Sequence, residues 1–167
     1  MCQRSIQDCY EEIARTQNQA PPRYFAEKHI PDEVPGIFWE LYPDTREIFL
    51  VRDFRDMLCS IRAFNVKRGT LGFNRDQVRS EEEYVNRLGR EAQQLLSGWK
   101  TRKVRAHLVR YEDLILRPAE TMARALTYLG FEGDESDAEA LLRKETDTPE
   151  LQAHRTSENA RASIGRW

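Results

Sequence analysis

Glu47-Ile48-Phe49-Leu50-Val51-Arg52-Asp53-Phe54-Arg55-Asp56-Met57-Leu58-Cys59-Ser60 is the stretch whose reading decides the fold. Its first half is a short apolar run bounded by charge, the pattern of a strand buried on both faces in a parallel sheet. After Asp53 the period changes, and Met57, Leu58, Ile61 and Phe64 recur at helical spacing. Asp53 suits the N-cap of that helix, and Asp56 adds a second acid near the positive end of its dipole. Arg52 therefore stands where strand gives way to helix, the rim at which open α/β sheets bind anionic ligands. Arg52 and Ser60 could together grip a phosphate, a forked guanidinium on one side and a hydroxyl on the other. The plainer alternative pairs Arg52 with Asp53, Asp56 or another surface acid and leaves Ser60 a small residue beside the apolar stripe.

Upstream, residues from about Arg4 to Gln17 read as a helix with Ile6, Cys9, Tyr10 and Ile13 on one face. Gln19-Ala20-Pro21-Pro22 ends it, and Tyr24-Phe25-Ala26-Glu27-Lys28-His29-Ile30-Pro31 follows as an aromatic-led segment with an acid, a base and an imidazole. Ile37, Phe38, Leu41 and Tyr42 suggest a short helix before Pro43. Downstream, Lys67-Arg68-Gly69 suits a helix C-terminus. Thr70 to Ser80 lacks a period and reads as a mobile loop.

Ser80 and Glu83 match a capping box opening a long helix through Trp99. Val104 to Val109 makes a second short strand, ending at Arg110-Tyr111-Glu112-Asp113. Pro118 opens another helix and Gly130 stops it. An acidic helix spans about Ser136 to Lys144, and the tail ends in Ser163-Ile164-Gly165-Arg166-Trp167. Two strands with helices between them are the minimum of a parallel α/β arrangement, and fewer than such a sheet usually holds.

A chain of 167 residues is expected to form one domain. Its 26 basic and 28 acidic residues nearly balance, so no general footprint for nucleic acid or an anionic membrane exists and any anion site is built locally. Three cysteines with no short paired spacing argue against a disulfide framework and a zinc site, and for a reducing cytoplasm. No apolar run reaches the length of a membrane span.

The segment Tyr42 to Ser60 resembles the 3′-phosphate-binding element of sulfotransferases that use 3′-phosphoadenosine 5′-phosphosulfate. Arg52 and Ser60 match its two phosphate-gripping positions. Val109-Arg110-Tyr111-Glu112-Asp113-Leu114, followed by Arg117-Pro118, resembles the family's second landmark, where Tyr111 matches the residue that approaches the adenine. Tyr128-Leu129-Gly130 sits at the usual distance beyond. Ser163-Ile164-Gly165-Arg166-Trp167 resembles the terminal Gly-x-Trp, which puts Arg161 at a 3′-phosphate contact, with Ala160 and Ala162 departing from the family's basic loop. Glu27-Lys28 followed by Pro31 resembles a loosened Glu-Lys-Thr-Pro element, with His29-Ile30 in place of the usual Thr.

The resemblance implies an α/β fold, a helix-rich, P-loop-like three-layer arrangement around a parallel sheet. No Gly-rich 5′-phosphosulfate loop precedes Glu47, so the sheet is expected to be incomplete on its N-terminal side. Residues 1–167 are then expected to be one domain completed by further N-terminal sequence or another domain.

The resemblance further implies sulfuryl transfer from the nucleotide donor, without a metal, to an acceptor hydroxyl or amine. Arg52, Ser60, Tyr111, Arg161 and Gly165 would hold the nucleotide. Lys28 would stabilise the sulfuryl oxygens, with Glu27 or His29 as the base. Two alternatives stand beside this reading: a non-catalytic nucleotide-binding or interaction domain, and another P-loop-type transferase such as a kinase.

Overall fold

The computed structural model describes residues 2–18, 24–28, 39, 42–102, 104–145 and 149–167, which divide into a unit ending at Thr45 and a unit from Arg46 onward. The first holds helix α1, Cys2–Thr16, close to the bounds its apolar spacing predicts. Of the predicted stripe, Ile6 and Tyr10 are half-buried while Cys9 and Ile13 are exposed; Ala14 is the buried position. Tyr10 stacks on Phe25 at 4.0 Å between ring centroids, and Phe25 meets Tyr42 edge-on at 5.6 Å. Most of the predicted helix around Ile37 to Tyr42 lies outside the described residues.

The second unit is α/β and helix-rich, with a small sheet of two parallel strands among the described residues, β1 (Glu47–Val51) and β2 (Ala106–Arg110). Glu47 pairs with Ala106, and the register runs through Phe49 with Leu108 to Val51 with Arg110. Between the strands lie α2, Phe54–Arg68, and α3, Glu81–Arg102, the crossover that parallel pairing demands. After β2 the chain continues as α4 (Tyr111–Leu116), α5 (Pro118–Leu129), α6 (Glu135–Glu145) and α7 (Pro149–His154), with 3₁₀ turns at Arg75–Gln77 and Arg161–Ser163.

One expectation about β1 needs correcting. Its side chains alternate, with Glu47 and Phe49 buried but Ile48 and Leu50 42% and 56% exposed. Successive strand residues point to opposite faces, and the described residues cover only one of them. A core cluster forms within the crossover: Ile61, Tyr84 and Leu88 pack together, flanked by Met57, Leu58 and Val78. Further along, α5 packs on α6, with Ala125 and Ala138 buried.

The loop from Thr70 to Ser80 is tied down rather than loose. The Asn65 side-chain oxygen accepts the Gly72 N–H at 2.9 Å, and the Tyr84 hydroxyl donates to the Phe73 carbonyl at 3.0 Å. Phe73 also meets Phe64 edge-on. The missing period concealed anchors supplied by α2 and α3. Ser80 caps α3 as expected, its hydroxyl accepting the Glu83 N–H at 3.1 Å; the Glu83 carboxylate returns to the N–H of Arg79 rather than to Ser80. Gly130 ends α5 at φ +84°, where a side chain would collide with the Arg46 guanidinium.

Candidate functional site

Arg52 leaves β1 with its guanidinium over the Tyr111 ring, 4.4 Å from the centroid. The two strands run side by side, so the end of β1 and the first residue of α4 are neighbours across the sheet. Arg52 Nη2 donates to the Ser163 carbonyl at 2.8 Å. Its Nε is buried and has no hydrogen-bond partner among the described residues. Ser163 is itself buried and gives its single hydroxyl proton to the Ala160 carbonyl at 2.6 Å. The 2.9 Å pair between the Tyr111 and Ser163 hydroxyls therefore has Tyr111 as donor.

The C-terminal segment from Thr156 to Trp167 lies along one face of α2. Asp56, Cys59 and Ser60 share that face by their helical spacing, and all three bond to the segment. The Asp56 carboxylate accepts the Gly165 N–H at 2.8 Å and the Arg166 N–H at 2.7 Å. Cys59 Sγ faces the Arg166 carbonyl at 3.8 Å, and the Ser60 hydroxyl pairs with that of Thr156 at 3.0 Å. The Arg166 side chain reaches Thr156 at 3.4 Å. Arg55 stacks on Trp167 at 3.3 Å. Lys67, at the far end of α2, donates to three carbonyls at the end of α7, those of Gln152, Ala153 and Arg155.

At the other edge of the corner, Asp53 caps α2 by accepting the Arg55 N–H, and its own N–H donates to the buried Glu112 carboxylate at 2.8 Å. The Arg55 side chain bonds the Asp53 carboxylate and holds its pKa down at about 2. Arg110 pairs with Glu112 at 3.8 Å, and Asp113 pairs with Arg117 at 2.8 Å. His107, half-buried in β2, stacks on Tyr128 and has its pKa lowered, first by burial and then by the Arg124 charge. His154 stacks on Phe64.

The candidate residues thus fall into two groups. Arg52, Ser60, Tyr111 and Gly165 come together through the C-terminal segment, with Arg161 exposed at the start of its 3₁₀ turn. Glu27 and Lys28 are exposed in the first unit, and His29 lies outside the described residues. Three further residues of the corner escaped the sequence reading: Asp56 as a partner of the tail, Thr156, and Ser163 as the bridge between Arg52 and Tyr111. Asp56 had a signal, its place one turn before Ser60, but its position predicted only a dipole charge.

The model of the sulfotransferase family matches residues 2–135, most of the chain. The chain belongs to the sulfotransferase family. Arg52, Ser60 and Tyr111 all fall within the matched sulfotransferase span, whereas Thr156, Ser163 and Gly165 lie beyond it. No curated protein and no solved structure matches the chain. Among the described residues no helix is long and apolar enough to cross a membrane, and no cluster of three or more His, Cys, Asp or Glu could hold a metal ion.

Proposed function

We propose that this sulfotransferase-family chain serves the transfer of a sulfuryl group from 3′-phosphoadenosine 5′-phosphosulfate to an acceptor hydroxyl or amine, as the part that holds the 3′-phosphate and adenosine. The observation that carries the reading is Arg52. It sits at the carboxyl end of β1, its guanidinium is oriented by Tyr111 and Ser163, and its buried Nε has no hydrogen-bond partner among the described residues. A buried donor of this kind costs free energy until an acceptor reaches it, and a phosphate oxygen is a strong one. Ser60 supplies a hydroxyl that currently pairs with Thr156, and a hydroxyl can redirect its proton to an anion. Tyr111 would lie against the adenosine, and Arg161 and Gly165 would complete the 3′-phosphate side.

In the reaction the bond from sulfur to the nucleotide's phosphate oxygen breaks, and a bond from sulfur to the acceptor forms. The acceptor's proton goes to a base, and the bisphosphate leaves with the electron pair. Lys28 is assigned to the sulfuryl oxygens and Glu27 or His29 to the proton, roles that rest on the resemblance of Glu27-Lys28 to the family's element. The whole chain is taken as one sulfotransferase-like domain with a P-loop-like, three-layer sheet arrangement. The free thiols of Cys9 and Cys59 favour a reducing compartment, the cytoplasm.

A second reading draws on the same corner. Arg52 Nη2 and Ser60 already have protein partners, as they would in a non-catalytic nucleotide-binding or interaction domain. Calorimetry with 3′,5′-adenosine bisphosphate against AMP tests the phosphate assignment. Tighter binding of the bisphosphate, lost in Arg52→Ala, is expected; equal binding of both nucleotides would overturn it. Transfer of labelled sulfate to a hydroxyl or amine acceptor then separates the catalytic reading from the second.

A further inference from the structure

We propose that Asp56 is a positioning residue for the 3′-phosphate: it clips the C-terminal segment in place, and through Ser163 the clip sets the orientation of Arg52. The inference rests on the assignment of Arg52 to that phosphate.

Asp56 is 2% exposed, yet it lies in the first turn of α2, where an acid needs only the helix dipole and solvent for company. A carboxylate withdrawn this far from water must be compensated by hydrogen bonds. Two of these come from consecutive backbone N–H groups, Gly165 and Arg166, at 2.8 and 2.7 Å, more than a hundred residues further along the chain. Gly165 adopts φ +72°, a left-handed conformation at the turn that presents its amide and its neighbour's to one carboxylate. Charge-assisted bonds of this length are the strong ones.

The clip is coupled to the corner by chain continuity. Ser163 stands two residues before Gly165, and its backbone carbonyl takes the Arg52 Nη2 proton while its hydroxyl takes that of Tyr111. Arg52 is thus held on one edge by a segment whose own place is fixed by Asp56. With the segment clipped, the Arg52 Nε keeps one orientation and is left without a protein partner among the described residues. With it released, the guanidinium keeps, among the described residues, its stacking on Tyr111, which fixes the plane but leaves rotation within it. A tail anchored merely for stability would, once released, weaken the binding of both nucleotides alike.

The test is Asp56→Asn, whose amide can still accept one of the two bonds but carries no charge. Gly165→Ala serves as a second variant. Its added Cβ meets open space, so packing is untouched, while the left-handed backbone is strained. Two readouts are taken on each full chain: amide hydrogen exchange at Gly165 and Arg166, and the ratio of affinities for 3′,5′-adenosine bisphosphate and AMP. In Asp56→Asn the amides should lose protection and the ratio should fall by about tenfold, with AMP affinity unchanged. Gly165→Ala should move both readouts the same way by a smaller factor. An unchanged ratio with the amides released overturns the inference, as does a proportionate loss of both nucleotides. If the unaltered chain binds the two nucleotides equally, the phosphate assignment of Arg52 falls, and this role of Asp56 falls with it. A preference present in the unaltered chain and kept in the variants removes the inference alone.

Discussion

The corner at the end of β1 and the segment Tyr24–Lys28 both carry candidate residues, and they are built in opposite ways. At the corner, nearly every polar group is bonded to one far away in sequence: Arg52 to Ser163, Ser60 to Thr156, Asp56 to Gly165 and Arg166, Asp53 to Glu112. In Tyr24–Lys28 all five residues are exposed, and Phe25 stacks on Tyr10 and meets Tyr42 edge-on. The difference separates two routes to a binding surface. A group held by buried, charge-assisted bonds has little orientational freedom left to lose on binding, whereas an exposed Lys must surrender its rotamers when a ligand arrives.

Four measurements would break or sharpen that contrast. The largest effect is expected for Asp56→Ala, which leaves the Gly165 and Arg166 amides without their acceptor. Urea unfolding should show a loss of about 2–3 kcal/mol with an unchanged denaturant slope. A loss no greater than that of an exposed substitution would mean the clip carries no weight. Next, Tyr111→Phe removes the hydroxyl that donates to Ser163 but keeps the ring under Arg52, and should cost on the order of 1 kcal/mol by the same method.

Acid provides a third, smaller test. The Asp53 carboxyl is lowered from 3.8 to about 2 in the folded chain, chiefly by the hydrogen bond from the Arg55 side chain. Its contribution is therefore complete above pH 3.8 and is lost as the pH falls through about 2. Solvent screens the pair, so the loss should stay below about 1 kcal/mol, and Asp53→Asn should flatten that part of the stability curve. Smallest of all, Lys28→Ala should change stability by no more than about 0.5 kcal/mol, since the residue is exposed. A larger loss would show that Tyr24–Lys28 is bonded more like the corner.

Features closed by near neighbours were readable from the residues. The Asp53 and Ser80 caps and the Gly130 stop each depend on partners within a few positions, so spacing alone carries them, and the strand Glu47–Val51 showed in its own apolar run although its pairing partner β2 lies far along the chain. The candidate corner was legible in part. Arg52 and Ser60 stood out by their place on strand and helix, but nothing near them announced that Ser163 and Thr156 would meet them.

What the sequence by itself determined is the change of period at Asp53, and with it an arginine at the mouth of a parallel strand and a serine two turns into the next helix. Only the tertiary structure decided that Ile48 and Leu50 stay open on one face of β1, that the loop after α2 is pinned by Asn65 and Tyr84, and that Asp56 turns from a dipole charge into a buried clasp. The reason is range. Backbone propensity and capping act over about one helical turn, while burial and charge pairing depend on which distant segment arrives, and that is settled only when the whole chain packs.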